Sequence, residues 1–491
     1  MKKVVSPTQR GPTAKIPCLD AAQHKSISLS PSMLKRGVCP LDETFFLSAT
    51  ELLHKIRTKQ LGIEELTKMY LARIEKYGLK SKLNAVCEIN ENALSASRQM
   101  DSLREPDHRP LRGLPILVKD NIDVSGMHTT AGSCALKDNL ATCDAPIIAN
   151  LRKSGAIILG KTNMTEFANY TSEGIPNGYS SLGGQVKNAY DGKSDPSGSS
   201  TGSAVAVSAG LCAAAIGTDT SFSVIACATV HGVVGYKPPH GTLSCQGIIP
   251  ISRMLDSAGT LTRTLSDALT VYSQLRDVPF PQLRPARPET IRLAVNTYNK
   301  DAVSQAQLAK YDSVLDMLRC NGGTVQDISQ PYIPQQSDMM KYAFRHDLDD
   351  YLAHTTAEHR SLGEILAFYE KNPQYMPYGV STLRNAYRDA SGQLDDAPYL
   401  LALDMRRTLR AQLLADMRRF DACLMTGPTN IMHFAGLPSV ALCHGAGKDH
   451  LPRGIILYGV DERRLLSAAL TLENYCEPSP FPIHYAKESS P

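Results

Sequence analysis

The sequence predicts an α/β protein. Three observations carry that expectation: short β-type runs alternate with helical stretches along most of the chain, a capped pair of amphipathic helices opens the folded part, and 42% hydrophobic content over 491 residues supplies a sizeable core.

Taken in order, the first 44 residues begin MKKVVSPTQRGPTAKIP, where prolines and glycine break any helix and no apolar stretch is long enough for a signal-peptide core. Residues 1–44 are therefore expected to be a poorly ordered extension. Ser48-Ala49-Thr50-Glu51 is a capping box, a hydroxyl three residues ahead of a carboxylate, which together satisfy the first free N–H groups of a helix. Behind it, ELLHKIRTKQLGIEELTKMYLARIEKYG repeats apolar residues at helical spacing on both sides of Gly62, so two helices are expected. Strands are expected at PILV from 115, AIIL from 156, GVVGY from 232, IRLAV from 291, ACLM from 422, SVALC from 439 and GIILYGV from 454. The proline-rich stretch 277–289, DVPFPQLRPARPE, suits a surface connection. Residues from about 330 to 420 are more helical and more charged before strands return. The expected organisation is one sheet domain over 45–480, with a helical insertion at about 330–420 and a tail at 481–491.

Composition excludes several functions. With 52 basic side chains against 48 acidic ones, nothing global steers the molecule toward nucleic acid or an anionic membrane, and the expected partner is a small molecule. The longest weakly polar run, Ala204–Gly217, is shorter than the roughly 20 residues a bilayer demands and is rich in small helix formers, so it is expected to be a tightly packed helix. Twelve cysteines without a C-x-x-C pair point to reduced, buried thiols and a cytoplasmic location.

Several short motifs lose to plainer explanations. Gly155–Thr162, GAIILGKT, fits the phosphate-loop pattern, but its spacer Ala-Ile-Ile-Leu is a buried strand rather than a flexible cradle, and Lys161 is expected to be structural. Ser32–Lys35 fits S-x-x-K without the partner motifs that would complete such a site. His354 and His359 lack zinc spacing, and Cys443-His444 point to opposite faces of a strand. Gly198–Gly202 fits G-x-S-x-G, yet polar NAYDGKSDP stands where a nucleophile elbow needs a strand.

The Gly/Ser loop SDPSGSSTGS, Ser194–Ser203, runs straight into a helix-forming stretch, so it is a loop of the core rather than a linker. Lys119 ends the apolar run GLPILVK, where a half-buried lysine is expected, and Ser223 lies in a polar turn, GTDTSFS, ahead of apolar residues. Three polar candidates thus sit at loop edges of one core.

These pieces resemble the amidase signature family. The resemblance is carried by LRGLPILVKDNIDVSGMHTTAGS, GAIILGKTNMTEFAN, DPSGSSTGSAVAVSAG, GTDTSFSVIACA and GVVGYKPPHGTLSCQGIIPIS, strongly over about 48–276 and more weakly over about 338–476. TTAGS, KTNMTEFAN and GIIPISRMLDSAG look closest to bacterial peptide amidases. The resemblance implies an α/β/α sandwich around a large mixed sheet, cleavage of a small or peptide-like carboxamide, and no metal or organic cofactor. It places the family's Ser-Ser-Lys triad on Lys119, Ser199 and Ser223, with the oxyanion bound by backbone N–H groups of Thr220, Ser221, Phe222 and Ser223. A neutral Lys119 would draw the Ser223 proton through Ser199, and Ser223 would form an acyl-enzyme that water hydrolyses. The resemblance also implies a cis bond between Gly198 and Ser199; if the Phe222 position needs φ > 0, as glycine there would suggest, either the loop shifts or something packs against the ring to hold it. Ser221-Phe222 replace a Gly-Gly pair, Ile225 an arginine, and Ser197 and Thr201 stand where glycine is common. Two rival expectations are the amidase component of a tRNA-dependent amidotransferase and a non-catalytic scaffold with the amidase fold. The expected assembly is a monomer or homodimer, with no nucleic acid and no membrane as partner.

Overall fold

The computed structural model describes residues 41–80, 82–103, 107–278 and 280–482. Most of the expected extension, the Ser32–Lys35 motif and most of the expected tail lie outside the described residues. Leu41–Thr44, expected to belong to the poorly ordered extension, form a short helix.

The strands are β1 Val86–Ile89, β2 Pro115–Lys119, β3 Ile157–Thr162, the two-residue strands β4 Tyr179–Ser180 and β5 Gly184–Gln185, β6 Ala214–Asp219, β7 Val234–Lys237, β8 Ser257–Thr262, β9 Arg292–Asn296, β10 Thr324–Ile328, β11 Ala422–Met425, β12 Ser439–Ala446 and β13 Pro452–Tyr458. All but β4 and β5 join one mixed sheet in the order β1-β3-β2-β6-β8-β7-β12-β13-β11-β9-β10. Each of the seven expected runs is a strand of it. The helix Ala49–Arg57 opens with the expected capping box, Ser48 Oγ accepting from Glu51 N–H and the Glu51 carboxylate accepting from Ser48 N–H. Ile63–Arg73 follows Gly62 as the second helix.

The reading of the run from Ala204 also changes. The run from Ala204 is not a single helix: Thr201–Ser208 is helical, Gly210 turns the chain at φ +69, and Ala214–Asp219 become β6 in the middle of the sheet. A strand buried on both faces has no alternation of polar and apolar residues, so its small apolar run looks like a buried helix.

One core cluster takes side chains from Phe45 through Leu472. A second cluster joins Met164, Phe167 and Tyr170 to Phe344, Leu348, Ile365 and Tyr369, which pins the helices Gln335–Ala353 and Leu362–Lys371 of the insertion onto the edge that carries the candidate serines. Among the described residues no helix is long and apolar enough to cross a membrane, and the ten described cysteines are all free thiols.

Candidate active site

Neighbouring parallel strands end together. β2 pairs with β6 in parallel register, Val118 opposite Ile216, so their C-terminal ends carry Lys119 and Thr218 to one edge of the sheet, where open α/β sheets place their ligands. The Gly/Ser loop folds over that edge before entering the helix Thr201–Ser208. Gly202 allows the close fit, because a Cβ there would run into the carbonyl oxygens of Asn163 and Ala85. Lys119 is consequently 0% exposed, not half-buried.

The three expected side chains meet. Lys119 Nζ lies 2.8 Å from Ser199 Oγ, and Ser199 Oγ lies 3.1 Å from Ser223 Oγ. The Gly198–Ser199 peptide bond is cis. Lys119 Nζ also reaches Thr218 Oγ1 at 2.8 Å, Ser200 Oγ at 3.0 Å and Thr218 O at 3.3 Å. Ser200 gives its own proton to Thr218 O at 2.9 Å, so it can only accept from the lysine. Lys119 Nζ donates to Ser199 Oγ, Ser200 Oγ and Thr218 Oγ1, and Ser199 Oγ donates in turn to Ser223 Oγ, so a neutral amine takes the Ser199 proton once these hydroxyls turn.

Electrostatics favour that neutral form. Burial pushes the Lys119 ammonium down to about 7, against the pull of Cys227, Asp219 and Asp256, which favour the charged form.

The loop ahead of Ser223 offers unspent donors. Among the described residues no acceptor is bonded to the backbone N–H of Thr220, Ser221, Phe222 or Ser223. Phe222 takes a positive φ, 72°, so the loop keeps a glycine-type backbone although the side chain is large. Its ring rests on the His433 ring. Asp219 Oδ2 accepts from Val224 N–H at 2.7 Å and Ile225 N–H at 3.3 Å, which fixes the turn into the helix Ile225–His231. Thr220 is held twice. Its hydroxyl donates to Asp256 Oδ1 at 2.5 Å, and its carbonyl accepts from Gln336 Nε2 at 3.3 Å.

Two buried acids flank the loop and are shifted in opposite directions. Burial pushes Asp256 up to about 7 despite hydrogen bonds from Thr220, Ile251 and Ser252. Burial works against charge on Asp219 as well, but His433, Lys237 and the Val224 N–H keep it ionised. His433 Nδ1 lies 3.1 Å from Asp219 Oδ1, and burial pushes the imidazole below its usual range, toward the neutral form.

Residues singled out and set aside stay outside this cluster. Lys161 is a strand residue whose Nζ donates to His128 O at 2.7 Å and Thr129 Oγ1 at 3.2 Å. Cys443 and His444 take separate partners, Ser479 and Ser313. Sequence reasoning did not find Ser200, Thr218, Asp219, Asp256, Gln336 or His433. Ser200, Thr218, Asp219 and Asp256 stand inside motifs already quoted. Gln336 and His433 lie more than a hundred residues downstream of Ser223 with no local signal.

A large mixed sheet with these loops at its edge is an amidase-signature fold, as two solved structures show. A peptide amidase from Stenotrophomonas maltophilia superimposes with a TM-score of 0.80 at 29% identity, covering 88% of this chain and 98% of that one. An amidase family protein from Bacillus anthracis gives 0.82 at 28%, covering 90% and 93%. The chain belongs to the amidase family, whose model, described as Amidase, matches residues 65–437. A probable amidase of Arabidopsis thaliana is 30% identical over 449 residues, 84% of this chain and 87% of the relative. A glutamyl-tRNA(Gln) amidotransferase subunit of Solidesulfovibrio magneticus is 31% identical over 492 residues, 89% and 98%.

Proposed function

We propose that the protein hydrolyses the C–N bond of a small or peptide-like linear carboxamide through Lys119, Ser199 and Ser223. The observation that carries this reading is the unbroken hydrogen-bond path from Lys119 Nζ through Ser199 Oγ to Ser223 Oγ, ending beside four backbone N–H groups with no acceptor among the described residues.

Ser223 Oγ attacks the carbonyl carbon while its proton passes to Ser199 and the Ser199 proton passes to Lys119 Nζ. The carbonyl oxygen becomes an oxyanion held by N–H groups of the Thr220–Ser223 loop. Collapse breaks the C–N bond, and Lys119 returns its proton through Ser199 to the leaving nitrogen. Water then attacks the acyl carbon, giving a proton to Lys119 through Ser199, and collapse breaks the Ser223 Oγ–acyl bond as that proton returns to Ser223 and the acid leaves. No step calls on a metal or organic cofactor. The free thiols support the reducing cytoplasm, and a monomer or homodimer suffices because all three side chains come from one chain.

Turnover of simple amides by the parent, Ser223→Ala and Lys119→Ala tests the reading. Both variants should lose several orders of magnitude in kcat. Full activity in Ser223→Ala contradicts it.

A second reading is a component of an amidotransferase, favoured by the 31% identity with the Solidesulfovibrio relative over nearly its whole length. Glutamine hydrolysed only in the presence of partner proteins would favour it, and hydrolysis of peptide amides by the isolated chain favours the first.

A further inference from the structure

The insertion builds a second feature beside the serines. Thr165 N–H donates to Ser199 O at 3.2 Å, and Thr165 Oγ1 accepts from Gly178 N–H at 2.7 Å. Glu166 and Tyr179, the next residues along, therefore stand close to the chain that carries Ser199. Segment 375–380 of the insertion folds over them, and together they close a small pocket lined by Glu166, Tyr179, Tyr369, Tyr375, Met376 and Tyr378. Its centre has room for a group the size of a water molecule or an ammonium head. Tyr179 and Tyr378 meet edge to face, ring centroids 4.9 Å apart, and Tyr378 is 43% exposed, so solvent reaches the pocket on that side.

Glu166 is 2% exposed. Its Oε2 accepts from Ser181 N–H at 2.6 Å and its Oε1 accepts from the Tyr369 hydroxyl. Among the described residues its partners are Tyr369 and Ser181, with no cationic side chain among them. A buried carboxylate without a cation is costly, and tyrosine faces attract cations, so both halves of the lining favour the same ligand.

We propose that this pocket is a substrate subsite that takes the ammonium-bearing side chain of a peptide-like amide. The proposal rests on the amide-hydrolase reading and narrows it to a substrate class. Burial pushes the Glu166 carboxyl up to about 7 despite its hydrogen bonds. The other titratable groups facing it are Tyr369 from the helix Leu362–Lys371, Tyr179, Cys134, Tyr375 and Tyr378. Burial raises Tyr369, Tyr179 and Cys134, which keeps those three neutral. Glu166 is thus the group there that changes charge near neutrality, and preference for an ammonium should strengthen as pH rises through that range. Lys119 titrates in the same range but acts on every amide alike, so a ratio between two substrates cancels it.

The experiment compares kcat/KM for Nα-acetyl-lysinamide and Nα-acetyl-norleucinamide in the parent, Glu166→Gln and Tyr378→Leu, from about pH 6 to 8. The parent should favour the lysine amide by about tenfold, mainly through KM, with the ratio rising across the range. Glu166→Gln should flatten that rise, and Tyr378→Leu, at an exposed position that leaves the fold intact, should lower the ratio. Equal rates on the two amides, or a ratio unchanged in both variants, overturns the subsite while leaving the hydrolase reading intact. Failure of the parent on both amides, with Ser223 unlabelled by a fluorophosphonate, overturns the hydrolase reading and the subsite with it.

Discussion

The Phe222 ring lies on the His433 ring, centroids 4.3 Å apart and planes inclined by 61°. Phe222 directly precedes the candidate nucleophile at φ 72°, a conformation that costs an ordinary side chain roughly 1–2 kcal/mol. His433 is 1% exposed; its ring packs against Phe222 and its Nδ1 lies 3.1 Å from Asp219 Oδ1, so it supports the loop through both contacts. His433 is a positioning residue: it holds in place a backbone that glycine would adopt unaided.

His433→Ala should therefore lower kcat by about tenfold, the size of the strain it leaves unsupported, with little change in KM. Adding Phe222→Gly should restore the part of the loss that comes from Phe222, because glycine takes a positive φ freely. Steady-state kinetics of the two single variants and the double variant decide it. A double variant as slow as His433→Ala would show that the histidine acts through something other than Phe222.

Activity should follow the charge of Lys119. The base works only when neutral, and burial brings its titration down to about 7. The profile of kcat/KM should rise with pH through about 7 and level off above it. A flat profile between about pH 5 and 9 would contradict a lysine base.

Stability should register the same group over a higher range. The folded chain binds the Lys119 proton less tightly than the unfolded chain, so between about pH 7 and 10 unfolding takes up a proton, and stability rises with pH across that window. Lys119→Met abolishes this dependence. Denaturant titrations should show the parent gaining on Lys119→Met by up to about 1.4 kcal/mol per pH unit over that range. A difference independent of pH would mean that Lys119 is charged in the fold.

Much of this was legible in the sequence, for physical reasons. Seven strands were readable because each packs apolar residues into a short run bounded by turn formers. β1, β6, β8 and β10 were not; in β6, Ala214-Ala215-Ile216-Gly217 carries no period that separates a buried strand from a buried helix. Lys119, Ser199 and Ser223 stood in motifs with a family resemblance. Gln336 and His433 could not be read, because what brings them to the loop is the docking of distant parts of the chain, which leaves no local pattern. The full burial of Lys119 was missed because its cover, the Gly/Ser loop, comes 80 residues later.

Thr220 offers a test of that distant docking. Asp256→Ala removes the acceptor of the Thr220 hydroxyl and of the Ile251 and Ser252 N–H groups together. A shifted oxyanion loop should cost roughly tenfold or more in kcat while KM changes little. Gln336→Leu removes only the bond to the Thr220 carbonyl and should cost about threefold. Loss confined to KM in both variants would place these residues in substrate binding instead.

Whether Ser223 is the nucleophile, activated by Lys119 through Ser199, is decided by labelling the intact chain with a fluorophosphonate and mapping the modified peptide by mass spectrometry. One adduct is expected, on Ser223, formed several orders of magnitude more slowly in Lys119→Ala and not at all in Ser223→Ala. An adduct on another serine, or undiminished labelling of Ser223→Ala, would contradict it.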